Sequence, residues 1–292
     1  MNQFTIRDIE NLSGIKAHTW RIWEQRYGIG VAQRKESNHR FFDNDNLKQI
    51  LRISYLYNSG IKISKIAVLK PEEINELALT KLLKENENDF YIKELVESSI
   101  DLDEERFERA FTEALRNLGV EATIVDVLYP FQEKIGVLWL TDHVIPAQEH
   151  FTSNIIRQKL AKATDDLNNI KDPGKKAIVL FTPENERHEI PLQFIHYLLK
   201  KNQNKVVYFG TSVSSNSIKI YEQDHSFNYL WFHLITNLAA VTPTAYLKKL
   251  TSQFPDKQIV MSGVQVGQVT EASENARLLR SMKEVIDFAN SI

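Results

Sequence analysis

The sequence predicts a multidomain chain: a head of short helices with a β-hairpin, a central antiparallel helical bundle, and a C-terminal α/β domain on a doubly wound parallel sheet. Three observations carry this prediction. Charge is divided unevenly, because residues 1–70 hold 12 Lys and Arg against 6 Asp and Glu. That head is therefore +6 and the rest of the chain −8, beneath an overall formal charge of −2. From about 73 to 169 apolar residues recur at helical spacing. Beyond Pro173-Gly174, short continuous apolar runs alternate with amphipathic ones, as in parallel strands buried on both faces.

The head is read element by element. Thr5 opens a helix that carries Ile6, Ile9 and Leu12 on one stripe, and Gly14 ends it. In KAHTWRIWEQRYG, Trp20, Trp23 and Tyr27 form the apolar stripe of a second helix that stops at Gly28. Two short helices about a tight turn make a helix-turn-helix, whose second helix enters the major groove. Its polar side presents His18, Thr19, Arg21, Gln25 and Arg26 to bases or phosphates. GIGVAQRKESNHRFF then reads as two extended pieces around a polar tip, a wing whose Arg34, Lys35, His39 and Arg40 meet backbone phosphates. Asp43 caps a helix through Tyr57, and a short helix over Lys62–Val68 closes the module. Periodicity and charge alone also admit a solvated basic face, as the lesser alternative.

The middle reads helix after helix. Asp103 caps a helix in which Phe107, Phe111 and Leu115 form a buried stripe. The run from Thr123 to Leu167 supplies two or three more helices with short links, hence an antiparallel bundle. The segment around Pro71 is interrupted by that proline and by a polar run, so no long coiled coil follows the head. By residue type alone, Trp139 suits a core position and Glu149-His150 a helix start.

In the last part AIVLF, KVVYFG, YLWFHLI and QIVMSG are strands, each followed by a loop and a helical piece, with a short strand or turn and a helix after them. The segment Thr211–Ser217 reads as a polar loop. A ligand crevice is expected at the carboxyl ends of the strands, and Glu186-Arg187-His188 lies in the loop after the first of them. A lone loop histidine is ordinarily just solvated.

Composition sets the outer limits. Length predicts two or three domains, 1–70, 73–169 and 174–292. With no cysteine, disulfides, thiolate nucleophiles and cysteine-ligated metal sites are excluded. No run approaches the ~18 apolar residues of a membrane span, and the polar, acidic N-terminus predicts a cytoplasmic protein without membrane association. No nucleophile–base constellation is visible, so the chain is not expected to be an enzyme.

The quoted phrases carry two resemblances. TIRDIENLSGIKAHTWRIWEQRYGI followed by HRFFDNDNLKQILRISYLYNSGIKISKIA, over residues 4–67, resembles the winged-helix domain of the MerR regulators. That resemblance implies operator DNA as partner and a homodimer on a palindromic site, with Trp23, Tyr27 and Phe41 as packing. Trp139, nine residues, Glu149-His150 resembles the helical cap of the cobalamin-dependent, light-responsive members of that group. TPENERHEIPLQFIHYLLKKNQNKVVYFG resembles the opening of a cobalamin-binding Rossmann-like domain.

Together these imply adenosylcobalamin as cofactor, His188 as the lower axial metal ligand and Glu186 on its other ring nitrogen. They also imply Trp139 over the upper face with Glu149 and His150 nearby, and Thr236, Ser262 and Gly263 along the nucleotide tail. They favour repression, and a homotetramer as the larger assembly. Four positions depart from the pattern: Leu140 where a cobalt-coordinating histidine follows the tryptophan, Pro191 in the region of a glycine, Thr236 as the only hydroxyl at the third strand end, and Ser262 for the first of two glycines. These departures fit altered cobalamin binding, or a module that has lost it and serves oligomerisation, protein interaction or another small ligand. A cobalamin enzyme subunit would need no head of this kind.

Overall fold

The computed structural model describes residues 4–34, 40–82, 88–140, 146–167, 176–236 and 241–292. It comprises two units, Met1–Thr152 and Ser153–Ile292.

The first unit begins with α1 (Ile6–Ser13) and α2 (Ala17–Tyr27). The left-handed Gly28 (φ 69°) ends α2, its N–H donating to the Glu24 carbonyl at 2.9 Å. A side chain there would be strained, so glycine is the natural terminator. The antiparallel strands β1 (Gln33–Arg34) and β2 (Arg40–Phe41) form the expected hairpin. Asp43 caps α3 (Asn44–Asn58) in a capping box: its carboxylate accepts from the Asn46 N–H, while the Asn46 side chain accepts from the Asp43 N–H. This satisfies two backbone donors that the helix itself leaves open.

Trp20 and Trp23 meet edge to face at 5.0 Å among Ile9, Ile50, Ile53 and Leu56, and the Trp20 indole N–H donates to the Ser13 hydroxyl. The core of the head continues beyond the short α4 (Ile63–Ile66). Ile74 and Ala78 of α5 (Pro71–Leu82) and Val137 of α8 (Tyr129–Leu140) belong to it. Pro71 is thus the first residue of a helix rather than an interruption, at a position where its missing N–H leaves no bond unmade.

Helices α6 (Asp89–Asp101) and α7 (Glu104–Ala122), a π-helical turn (Thr123–Leu128), α8 and α9 (Pro146–Asp165) follow, the division between units falling within α9. Asp103 caps α7 by accepting from the Arg106 N–H at 3.0 Å. Phe107 and Phe111 are fully buried, Phe107 against Phe131 and Phe151. Ala114, not the half-buried Leu115, continues that stripe. A 3.6-residue period moves the buried face from i+8 to i+7 here. No helix among the described residues is long and apolar enough to cross a membrane.

The second unit holds a parallel sheet of β3 (Ala177–Pro183), β4 (Lys205–Val213), β5 (Tyr229–His233), β6 (Gln258–Ser262) and β7 (Ala276–Leu279), in the order β4-β3-β5-β6-β7. Helices α10 (Ile190–Lys201), α11 (Ser215–Asp224), α12 (Pro243–Gln253) and α13 (Met282–Ser291) connect and close it. This is the doubly wound arrangement. The chain leaves β3 to one side for β4 and returns to the other side for β5, so the strand order reverses between β3 and β5. The polar segment expected as a loop at 211–217 is instead strand through Val213 and helix from Ser215. Ser214 caps α11 by accepting from the Ser217 N–H.

Candidate functional site

Two regions bring functional side chains together. The first is the outer face of α2 with the hairpin beside it. Burial of Trp20 and Trp23 turns the opposite side of α2 outward, so His18, Arg21, Gln25 and Arg26 are exposed and Thr19 is half-buried. Ile22 is 52% exposed in the midst of this polar stripe. It is an apolar member that charge-based reading passes over, although its spacing from His18 and Arg26 places it on the same face. Arg40 of β2 does not simply point outward: its guanidinium meets the Glu24 carboxylate of α2 at 2.7 Å. Lys35 and His39 lie outside the described residues, as does the side chain of Arg34. Tyr27 and Phe41 are half-buried, Tyr27 against the core of the head.

The second region lies at the carboxyl ends of β3 and β5, where the strand order reverses and an open sheet offers its crevice. The turn after β3 is held by its main chain: the Glu186 carbonyl accepts from the Thr182 hydroxyl at 2.7 Å and the Ser212 N–H at 3.1 Å. The Asn185 N–H donates to the Ser212 hydroxyl. Glu186 is thereby turned inward and fully buried. One carboxylate oxygen accepts from the His188 N–H at 2.9 Å and lies 2.6 Å from His188 Nδ1. The other accepts from the Ile235 N–H at 2.8 Å, the Thr236 N–H at 2.7 Å and the Thr236 hydroxyl at 3.0 Å.

Burial alone would raise the Glu186 carboxyl. The bonds from the His188 ring and from the backbone of Thr236, His188 and Ile235 outweigh it and hold the group far below the usual carboxylate range. An ionised, immobile carboxylate therefore fixes the His188 ring through Nδ1, while the His188 side chain remains 52% exposed. This donor set fits the axial ligand of a metallocofactor, since ligating imidazoles are commonly oriented by a carboxylate on the far nitrogen.

Thr236 thus serves the carboxylate, a role its sequence position did not reveal. Ser262 is fully buried. Its hydroxyl accepts from the Trp231 indole N–H and lies 2.9 Å from His233 Nδ1. Burial pushes the His233 pKa down to about 4. Gly263 (φ 103°) lies directly on the backbone that follows β5, and a β-carbon there would collide with the Leu234 carbonyl oxygen. Its need for glycine comes from this close approach of two strand ends. Pro191 stands in the first turn of α10, where proline is well accommodated.

The residues proposed for the upper face belong to the first unit. Trp139 is half-buried near the end of α8. Glu149 and His150 are exposed in the first turns of α9, with His150 Nδ1 3.0 Å from the Glu149 carboxylate. Leu140 ends α8, and its side chain lies outside the described residues.

Comparison with known proteins gives two family matches in succession along the chain, the second running across the boundary between the units. The family described as MerR HTH family regulatory protein matches residues 4–73, and that described as B12 binding domain matches residues 91–163. The chain is 28% identical over 218 residues to the HTH-type transcriptional repressor CarA of Myxococcus xanthus, across 73% of this chain and 70% of that protein. To the HTH-type transcriptional repressor CarH of the same organism it is 23% identical over 163 residues, spanning about half of each (54%). In three dimensions it resembles the Methanosarcina barkeri monomethylamine corrinoid protein, with a TM-score of 0.55 and 15% identity over 70% of this chain and 99% of that one. The last likeness is one of fold. The chain therefore joins a MerR-like helix-turn-helix head to a segment homologous to B12 binding domains, with the fold of a corrinoid protein.

Proposed function

We propose that this protein is a sequence-specific DNA-binding transcription regulator, acting as a repressor on a two-fold operator, whose C-terminal domain senses a cobalamin through His188. The observation that carries the sensor is the buried, ionised Glu186 that orients an exposed imidazole at the switch point of the sheet. When bound, the corrinoid would supply a metal centre that exchanges a coordinated ligand. The residues of this chain would hold it: His188 as the donor, Glu186 fixing its ring, and Ile235 and Thr236 fixing Glu186. Similarity to two transcriptional repressors supports the regulatory reading. The polar stripe of α2 supplies the chemistry of groove recognition.

The decisive experiment mixes the purified full chain with adenosylcobalamin, methylcobalamin and hydroxocobalamin, then separates bound from free by gel filtration. A coloured protein peak is expected, with a spectrum that changes in His188→Ala. A colourless peak with every form would overturn the sensor reading. The fully buried hub of Ser262, Trp231 and His233 favours one second reading, in which the module has exchanged cobalamin for a role in assembly. On that reading His188→Ala leaves DNA binding and oligomer size unchanged. For the head, Arg21→Ala should weaken operator binding about fivefold to 150-fold, since a good bidentate base contact contributes about 1–3 kcal/mol. Unchanged affinity at moderate salt would remove α2 from the interface.

A further inference from the structure

A carboxylate stands inside the basic face of the head. Glu24 projects from α2 one turn beyond Arg21, and it makes two connections to the hairpin. One oxygen meets the Arg40 guanidinium of β2 at 2.7 Å, and the other accepts from the Ala32 N–H just before β1 at 3.3 Å. Arg21, Glu24, Gln25 and Arg40 together line an open depression between helix and hairpin. Glu24 is 22% exposed and Arg40 42% exposed, so the pair is accessible from solvent.

The arrangement opposes simple affinity for a polyanion. A carboxylate beside two guanidiniums lowers the local positive potential, and a guanidinium already neutralised by it releases less counterion when it meets a phosphate. What the carboxylate provides instead is geometry: it ties the hairpin to the helix from which bases would be read. We infer that Glu24 is a specificity-determining residue, which holds the hairpin in register with α2 and withholds Arg40 from phosphates on duplexes that do not seat both elements. Discrimination against wrong partners commonly depends on such a built-in repulsive element. This inference rests on the DNA-binding reading of the head.

The test uses the full chain, a duplex selected from random sequence by the wild-type protein, and a scrambled duplex of equal length. Binding to each is followed by fluorescence anisotropy over a range of salt concentrations for wild type, Glu24→Gln, Arg40→Ala and the double variant. Glutamine keeps the shape and an acceptor for Ala32 but removes the charge, and a matching thermal melt establishes that it folds.

For Glu24→Gln, affinity for the scrambled duplex should rise about twofold to fivefold, the range of an exposed ion pair. The slope of log affinity against log salt should steepen by about one phosphate contact, and the ratio of selected to scrambled affinity should fall. In the Arg40→Ala background the rise on scrambled DNA should vanish. Parallel loss on both duplexes with an unchanged slope, or a rise that persists without Arg40, would overturn the inference. If the wild-type protein selects no duplex and shows no salt-dependent binding, the DNA-binding reading itself falls, and that result is distinct from the other two.

Discussion

Glu186 and His233 show how single residues set the chemistry of the switch point. The Glu186 carboxylate accepts five hydrogen bonds from two loops, so its protonation would break apart the ends of β3 and β5. Glu186→Gln keeps the volume but places an amide donor where donors already converge. A loss of about 2–3 kcal/mol is expected, as for a hydrogen bond to a charged group left unmade, and a urea melt at neutral pH measures it. Because the folded carboxyl titrates far below its unfolded value of roughly 4.3, its contribution is present above that value and is lost as pH falls below it.

His233 acts earlier on the same descent. It folds as a neutral ring with its pKa pushed down to about 4, whereas the unfolded ring protonates near 6.5. Stability is therefore full above about 6.5 and drains away as pH falls towards 4, by about 3 kcal/mol at most. His196, half-buried and stacked on Tyr208 and likewise lowered to about 4, adds in the same direction. Melts between pH 7 and 4.5 should show this slope in the wild type and a flatter one in His233→Asn. A wild-type curve flat over that interval would refute the buried, neutral assignment.

Among the elements, the close approach of the β5 and β6 ends is the least tolerant feature. Gly263→Ala would drive a β-carbon into the Leu234 backbone at a positive φ, and neither strand can yield without breaking ladder bonds. A loss above about 3 kcal/mol, or failure to fold, is expected. A variant as stable as wild type would mean that the two loops can separate. Phe107→Ala in α7 should cost about 3–5 kcal/mol, the range for a large aromatic removed from a packed interior.

Elements whose cause is local were legible in the sequence. Gly28 ends α2, Asp43 and Asp103 cap α3 and α7, and the apolar runs after residue 176 are strands in a doubly wound sheet. Features that arise only from packing were not legible. Nothing local indicates that Ile74, Ala78 and Val137 complete the core of the head, or that Ser262 serves Trp231 and His233. The candidate site divides along the same line. Glu186 and His188 are two residues apart and could be paired from their spacing, but the Ile235 and Thr236 donors lie some fifty residues away, on a loop that only the sheet order brings near.

At the scale of the whole molecule, the proposed function requires that the +6 head and the −8 remainder communicate. Communication of this kind is a coupling free energy, and it is reciprocal. If a corrinoid at His188 changes operator affinity by some factor, operator DNA must change corrinoid affinity by the same factor, whichever conformations carry the effect. Couplings typically amount to about 1–3 kcal/mol, or 5- to 150-fold. Two titrations of the full chain therefore test one quantity. Operator affinity is measured with and without saturating cobalamin, and cobalamin affinity is measured by its absorbance with and without saturating operator. Equal factors within error are expected for the wild type, and a factor of one in both directions for His188→Ala. A cobalamin that binds at His188 yet leaves operator affinity unchanged would show equal affinity for both states of the protein. Such a ligand shifts no equilibrium however tightly it is held, and the chain would then bind the cofactor without sensing it.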